Sequence, residues 1–120
     1  SAGRVAFSAV RAARAQGIPV GLLRPITLRP FPYAPLAELA KTVKALLVVE
    51  MNAGQMLDDV LLAAAGHAPV EFYGRMGGMV PYQGEILAEI VRIAGESIPL
   101  EGDPRHRWAK RVNYGRNGHN

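Results

Sequence analysis

A short, unbroken apolar run, Ala45–Val49, is the feature that most constrains how this chain can fold. Such a run is typical of a strand buried on both faces, as in a parallel sheet. Two shorter runs that contain β-branched or aromatic residues, Pro19–Leu23 and Val70–Tyr73, predict further strands. The three runs begin near residues 19, 45 and 70. This spacing of about 25 residues suits units of one strand and one helix.

Amphipathic patterns between these runs predict four helices. The apolar stripes start at Val5, Leu36, Met56 and Ile86. Gly17 follows the first stripe, where a left-handed C-terminal cap is expected, and the third stripe ends at Gly66. Glu89 and Arg92 predict an ion pair three residues apart on the outer face of the last helix. Because helices separate the strands, the order α-β-α-β-α-β-α predicts parallel strands with helices on both faces of the sheet.

Length and composition favour one globular domain. The chain has 120 residues, of which 49% are hydrophobic and 20% charged. It has no cysteine, which excludes disulfides, thiolate zinc sites, cysteine-ligated iron–sulfur clusters and a cysteine nucleophile within this chain. No apolar run approaches the roughly 20 residues of a membrane span, and Ser1–Arg4 lacks a signal-peptide pattern. We therefore expect a cytoplasmic protein that does not contact a membrane.

The charge of the chain bears on its partners, and its turn signals divide it at about residue 95. The net charge of +4 is spread over scattered basic residues, which argues against a nucleic-acid partner. Residues 96–120 contain turn signals and no apolar period, with Trp108 and Val112 as the obvious anchors. We predict an α/β domain over residues 1–95 and a polar tail over residues 96–120, extended or docked on a neighbour. Because the domain begins with a helix, we also predict a missing first strand upstream of Ser1.

Three charged residues follow the predicted strands: Arg24, Glu50 and Arg75. Because ligands of parallel α/β sheets gather at the carboxyl ends of the strands, these residues are candidates for a site. One interpretation is an ion pair of Glu50 with one of the arginines. The other is an anion site formed by both arginines and the helix N-terminus after Gly54. Catalysis by Glu50 is disfavoured because it has no second titratable partner.

Loops at the same edge supply the other candidate contacts. The predicted interface or anion contacts in these loops are Pro25, Phe31, Asn52, Gly54, Gln55, Met56, Gly77 and Gly78. Prolines hold the loop from Arg24 to Pro32 extended, so it is either a rigid docking element or a lid over its own domain. Neither a dinucleotide fingerprint nor a P-loop occurs, and the three histidines do not converge. We predict no catalytic, cofactor-binding or metal-binding residue in this chain.

Four segments, in this order and at this spacing, resemble one protein family: Val20–Leu28, Pro30–Pro32, Val48–Met56 and Val70–Gly78. The family is the C-terminal region of the α subunit of 2-oxoacid:ferredoxin oxidoreductases, with the 2-oxoisovalerate and 2-oxoglutarate types most similar in character. The resemblance covers about residues 1–95. It implies a three-layer α/β/α sandwich with a mostly parallel sheet, similar to the transketolase C-terminal domain.

The resemblance also implies a function for the larger assembly. The family's complex oxidatively decarboxylates a 2-oxoacid with thiamine diphosphate and magnesium. It passes electrons through iron–sulfur clusters to ferredoxin and transfers the acyl group to coenzyme A. Those cofactors sit mainly in other domains or subunits, so we expect none in this chain and a non-catalytic structural and subunit-docking role. The alternative is an independent α/β module that binds an anion or coenzyme A through Arg24 and Arg75.

Overall fold

The computed structural model describes residues 2–23, 31–50, 55–74 and 83–118. The elements, in chain order, are α1 (Ala2–Ala15), α2 (Tyr33–Ala40), β1 (Leu46–Glu50), α3 (Gln55–Ala64), β2 (Val70–Gly74), α4 (Gln83–Gly95) and α5 (Pro104–Gly118). The four amphipathic stripes thus form α1 to α4. Gly17 has a φ of +86°, which confirms the left-handed cap after α1, and Gly66, with a φ of +82°, forms a second one after α3.

The two strands confirm the predicted parallel pairing. Leu46 lies opposite Val70, and Glu50 lies opposite Gly74. The backbone N–H of Leu46 donates to the carbonyl oxygen of Pro69 at 2.9 Å, which extends the ladder. Helix α3 forms the crossover that a parallel connection requires. Both strands therefore end at the same edge of the sheet, as the sequence predicts.

Two apolar cores lie on opposite faces of the sheet. One contains α2 and α3 side chains packed against Val48 and Phe72. The other contains α1 and α4 side chains packed against Tyr73, with Leu47 and Val49 partly buried beside it. The alternation of side chains along each strand produces this division. Helices on both faces of a parallel sheet give the α/β fold with three layers that the sequence predicts.

The prediction of a strand at Pro19–Leu23 is wrong. Residues 18–23 have no strand structure. The carbonyl oxygen of Val20 accepts a hydrogen bond from Arg14 Nε at 2.7 Å, so a side chain takes the place of a neighbouring strand. The side chain of Val20 still packs against the core between α1 and α4. A strand needs a partner ladder, and local β propensity cannot supply one.

The prediction of an extended tail is wrong over residues 104–118, which form α5. Asp103 begins this helix, since its side chain accepts the Arg105 N–H at 3.0 Å and its carbonyl accepts the Arg107 N–H at 3.1 Å. Pro104 occupies the first helical position, where its missing N–H costs nothing. The Asp–Pro pair that resembles a turn signal is therefore a helix start. The division into residues 1–95 and 96–120 stays a prediction.

Candidate functional site

Glu50 lies at the carboxyl end of β1 and caps the next helix. Its Oε1 atom accepts the backbone N–H of Met56, in the first turn of α3, at 3.0 Å. A carboxylate is favourable there because it complements the unpaired N–H groups and the dipole of the helix. Its Oε2 atom is buried and has no hydrogen-bond partner among the described residues. Glu50 thus joins strand to helix through one of its two carboxylate oxygens.

Most of the other predicted interface or anion contacts lie outside the described residues. This group is Arg24, Pro25, Asn52, Gly54, Arg75, Gly77 and Gly78. The Glu50 ion pair and the two-arginine anion site therefore stay predictions. Gln55 opens α3, and Met56 packs partly buried against the core under α2 and α3. Phe31 is 8% exposed in the same core, with its ring 4.9 Å from that of Tyr33.

A second cluster, which the sequence did not predict, surrounds Glu71, the second residue of β2. Glu71 is 1% exposed, although charged residues are rarely buried without partners. Three guanidinium groups bind its carboxylate: Arg92 at 2.6 Å, Arg107 at 2.8 Å and Arg111 at 3.2 Å. Arg92 comes from α4, and the other two come from α5. We call these four residues, together with Glu89, the Arg–Glu cluster.

Glu89 completes the cluster and corrects a prediction. Its carboxylate binds Arg92 at 2.8 Å, so the predicted pair three residues apart is confirmed. It also binds Arg111 at 2.8 Å. Its side chain is only 15% exposed, so the expected outer-face position is wrong. Arg111 reaches this face of α4 from α5, and sequence periodicity within α4 could not show that contact.

The electrostatics of the cluster follow from this geometry. Burial alone would raise the pKa of Glu71. The hydrogen bonds from Arg107 and Arg92, with the positive charge of Arg111, outweigh burial and hold that pKa below its usual value. For Arg92, burial opposes the charge, but its bonds to Glu89 and Glu71 raise the pKa above the ordinary value. The geometry of the cluster therefore favours the charged forms of Glu71 and Arg92.

Helix α5 reaches β2 through a face of arginines and one tryptophan. Arg107 Nη2 donates to the Val70 carbonyl at 2.8 Å, and Arg111 Nη2 donates to the Phe72 carbonyl at 3.4 Å. Between them, the Trp108 ring lies 5.7 Å from Phe72. It also lies 6.4 Å from Tyr73, which faces the opposite core. Contact with both faces places α5 along the outer edge of β2.

An open cleft of about 300 Å³ lies beside the Arg–Glu cluster. Its walls include Lys110, Ile98 and the cluster arginines. Those arginines already donate to carboxylates and carbonyls, as in Arg107 with Glu71, Val70 and the Glu101 carbonyl. Their donors are thus used inside the domain, and the geometry fits a clamp that holds α4 and α5 to the sheet.

The described residues do not fit the metal or cluster cofactors of the family that the sequence resembles. Over the described ranges, no three His, Asp or Glu side chains converge on one point. The acidic side chains of the cluster bind arginines, and cysteine is absent from the chain. Among the described residues, no set of side chains is therefore arranged as a magnesium or iron–sulfur site. Within those same residues, no helix has the length and apolar character needed to cross a bilayer.

Comparisons with known proteins cover most of the chain. Residues 1–86 match the family described as pyruvate:ferredoxin oxidoreductase core domain II. The ketoisovalerate oxidoreductase subunit VorB of Methanothermobacter marburgensis is 52% identical over 94 residues, which is 78% of this chain and 26% of that protein. The same subunit from Methanothermobacter thermautotrophicus is 49% identical over the same shares.

A second kind of relative carries a different substrate name. The 2-oxoglutarate synthase subunit KorA of Methanothermobacter marburgensis is 40% identical over 88 residues, 73% of this chain and 24% of that protein. The chain thus spans about a quarter of the length of the curated relatives it matches. No solved structure matches the chain significantly.

Proposed function

The chain belongs to the pyruvate:ferredoxin oxidoreductase core domain II family, and from that membership we propose that it is a structural and subunit-docking domain of a 2-oxoacid:ferredoxin oxidoreductase. The names of the relatives, ketoisovalerate oxidoreductase and 2-oxoglutarate synthase, favour a 2-oxoacid as substrate of the whole enzyme. That enzyme would decarboxylate the 2-oxoacid oxidatively, with ferredoxin and coenzyme A as acceptors. Thiamine diphosphate, magnesium and iron–sulfur clusters would be held by its other domains and subunits.

Exposed leucines beside the proline-rich loop carry the docking proposal. Leu22 and Leu23 are 44% and 52% exposed. They directly precede the loop whose prolines restrict the backbone. Adjacent apolar side chains in water are typical of a surface that a partner covers. A stiff segment loses little conformational entropy on binding, so this position suits a contact between subunits.

The placement of the buried charges supports a structural role. The Glu71 carboxylate accepts from three arginines and is 1% exposed. A carboxylate held in this way is poorly suited to exchange protons with a substrate, because its charged form is strongly stabilised. Glu50 similarly uses one oxygen to cap α3. These side chains hold elements of the domain together.

The proposal can be tested by co-purification from cells that express the other subunits of the enzyme. We expect an affinity-tagged chain to retain those subunits. The double substitution Leu22→Asp and Leu23→Asp should reduce the retained amount at least tenfold, because it places charges in an apolar contact. Leu62→Asp is the matched control, since Leu62 is an exposed leucine, 68% accessible, on a different element, α3.

Two results would overturn the proposal. One is unchanged co-purification of the Leu22→Asp and Leu23→Asp variant, with circular dichroism showing that it is folded. The other is oxidative decarboxylation of a 2-oxoacid by the purified 120-residue chain supplied with thiamine diphosphate, magnesium and an electron acceptor. The first result refutes docking through this surface, and the second refutes a non-catalytic role.

A further inference from the structure

The outer edge of β2 carries backbone groups that β1 cannot pair. In a parallel ladder, the backbone groups of alternate residues point to opposite sides of the strand. Pro69 points its carbonyl at β1, since that oxygen accepts the Leu46 N–H. By this alternation, Glu71 and Tyr73 also face β1. The N–H and C=O groups of Val70, Phe72 and Gly74 therefore face away from it.

Helix α5 covers this edge without being a strand. Its guanidinium groups bind the two outward carbonyls, from Arg107 to Val70 at 2.8 Å and from Arg111 to Phe72 at 3.4 Å. Trp108 packs over the edge between them. Helix α5 lies beyond residues 1–86, the part that matches the family domain. The covering element is thus separate from the family domain, whose β2 edge it closes.

We propose that α5 prevents β2 from pairing edge to edge with β2 of a second copy of this chain. The strand sequence Val-Glu-Phe-Tyr-Gly contains no proline and is rich in residues that favour strands. An uncovered edge of this kind is a template for another strand. This edge is also complementary to itself, because its outward groups lie symmetrically about Phe72. Two copies related by a two-fold axis would place Val70 of each opposite Gly74 of the other.

The test compares two double substitutions in α5 of the 120-residue chain. Arg107→Ala with Arg111→Ala removes the side chains that bind the β2 carbonyls. Arg105→Ala with Lys110→Ala removes the same number of positive charges from α5, at a partly exposed residue that binds Asp58 at 3.2 Å and at an exposed one. By light scattering after gel filtration, we expect the wild type and the Arg105/Lys110 variant to be monomers. We expect the Arg107/Arg111 variant to dimerise as its concentration rises.

Hydrogen exchange identifies the surface that pairs. In the dimer, the amides of Val70, Phe72 and Gly74 should exchange at least tenfold more slowly than in the same variant diluted to monomer. Adding Val70→Pro to that variant should restore the monomer. Val70→Pro removes the backbone N–H that faces away from β1 at the first residue of β2, a position that tolerates proline. A dimer that keeps these amides unprotected, or that persists with Val70→Pro, overturns the proposal.

A monomeric Arg107/Arg111 variant at all concentrations, with native circular dichroism, also overturns it. If that variant does not fold, Arg107→Lys with Arg111→Lys replaces it. Lysine keeps a positive charge near Glu71 but lacks the planar fork that reaches the carboxylate and a carbonyl together. We expect this milder variant to dimerise too, and a folded lysine variant that stays monomeric refutes the proposal. Dimerisation of the Arg105/Lys110 control to the same extent would refute it as well.

Discussion

Glu71→Gln removes the central charge of the Arg–Glu cluster while keeping the size and one carbonyl acceptor of the side chain. We expect it to lower the free energy of unfolding by about 3 kcal/mol. Removing one partner of a buried ion pair typically costs about 3–5 kcal/mol, because the remaining charges are left without compensation. The three arginines are 20%, 21% and 27% exposed, which places the cost at the lower end of that range. Glu89 also continues to bind Arg92 and Arg111.

Urea unfolding followed by tryptophan fluorescence measures this loss. Trp108 is the only tryptophan in the chain and lies between the two cluster residues of α5. With a slope of about 1.5 kcal/mol per molar, a loss of about 3 kcal/mol lowers the urea midpoint by about 2 M. The slope itself should not change, because the surface exposed on unfolding stays the same.

The control is Glu38→Gln on α2. Glu38 also pairs with a cation, Lys41 at 3.1 Å, but its side chain is 75% exposed. We expect this change to cost less than about 0.5 kcal/mol, since water screens the pair. If Glu71→Gln costs less than about 1 kcal/mol, or no more than Glu38→Gln, the account of the cluster as the clamp for α4 and α5 is refuted.

Three further predictions concern the pH dependence of stability, the glycine that follows α3 and the carboxylate that caps the start of α3. Folding depresses the pKa of Glu71, so the ionised carboxylate contributes fully to stability above the ordinary pKa of 4.5. This contribution is lost as the pH falls through the lower pKa of the folded state. Urea midpoints measured across that range should therefore fall less steeply with pH in Glu71→Gln than in the wild type. Gly66→Ala should lower the free energy of unfolding by about 1 kcal/mol, because Gly66 has a φ of +82°. Gly84→Ala should raise it by about 0.5 kcal/mol, because Gly84 lies inside α4 with open space around it. If thermal unfolding does not separate the two variants, the left-handed cap at Gly66 is contradicted. Glu50→Ala should cost about 1 kcal/mol by removing the acceptor of the Met56 N–H, and an unchanged melting temperature would contradict that role.

Local sequence patterns predict the helices and strands whose buried side chains are aliphatic. Ala9 and Ala13 occupy predicted stripe positions on α1, and both are 0% exposed. The parallel pair β1 and β2 follows similarly from two apolar runs on either side of one helix. In these cases the periodicity of apolar residues and the burial pattern express the same physical preference. Because the apolar run Ala45–Val49 predicts the strand, it also predicts that Glu50 lies at the carboxyl end of that strand.

Long-range contacts account for the failures. Pro19–Leu23 has strand-like composition, yet Arg14 takes the Val20 carbonyl and no ladder forms there. Helix α5 has no apolar period because its contact face consists of Arg107, Trp108 and Arg111. These residues indicate a buried contact only when Glu71 is known to face them, and Glu71 lies 36 residues earlier than Arg107. A lone glutamate inside an apolar strand run is the one signal that could have indicated such partners.

The order in which the chain is synthesised gives the Arg–Glu cluster a further consequence. Strand β2 is complete at Gly74, but α5 begins only at Pro104. At roughly 10 residues per second, a ribosome needs about 3 s to make the residues between them. Throughout this interval the nascent strand lacks Arg107, Arg111 and the helix that later lies along it. The speed of translation over residues 75–103, and chaperone binding while it proceeds, should therefore influence how much newly made protein escapes misassembly.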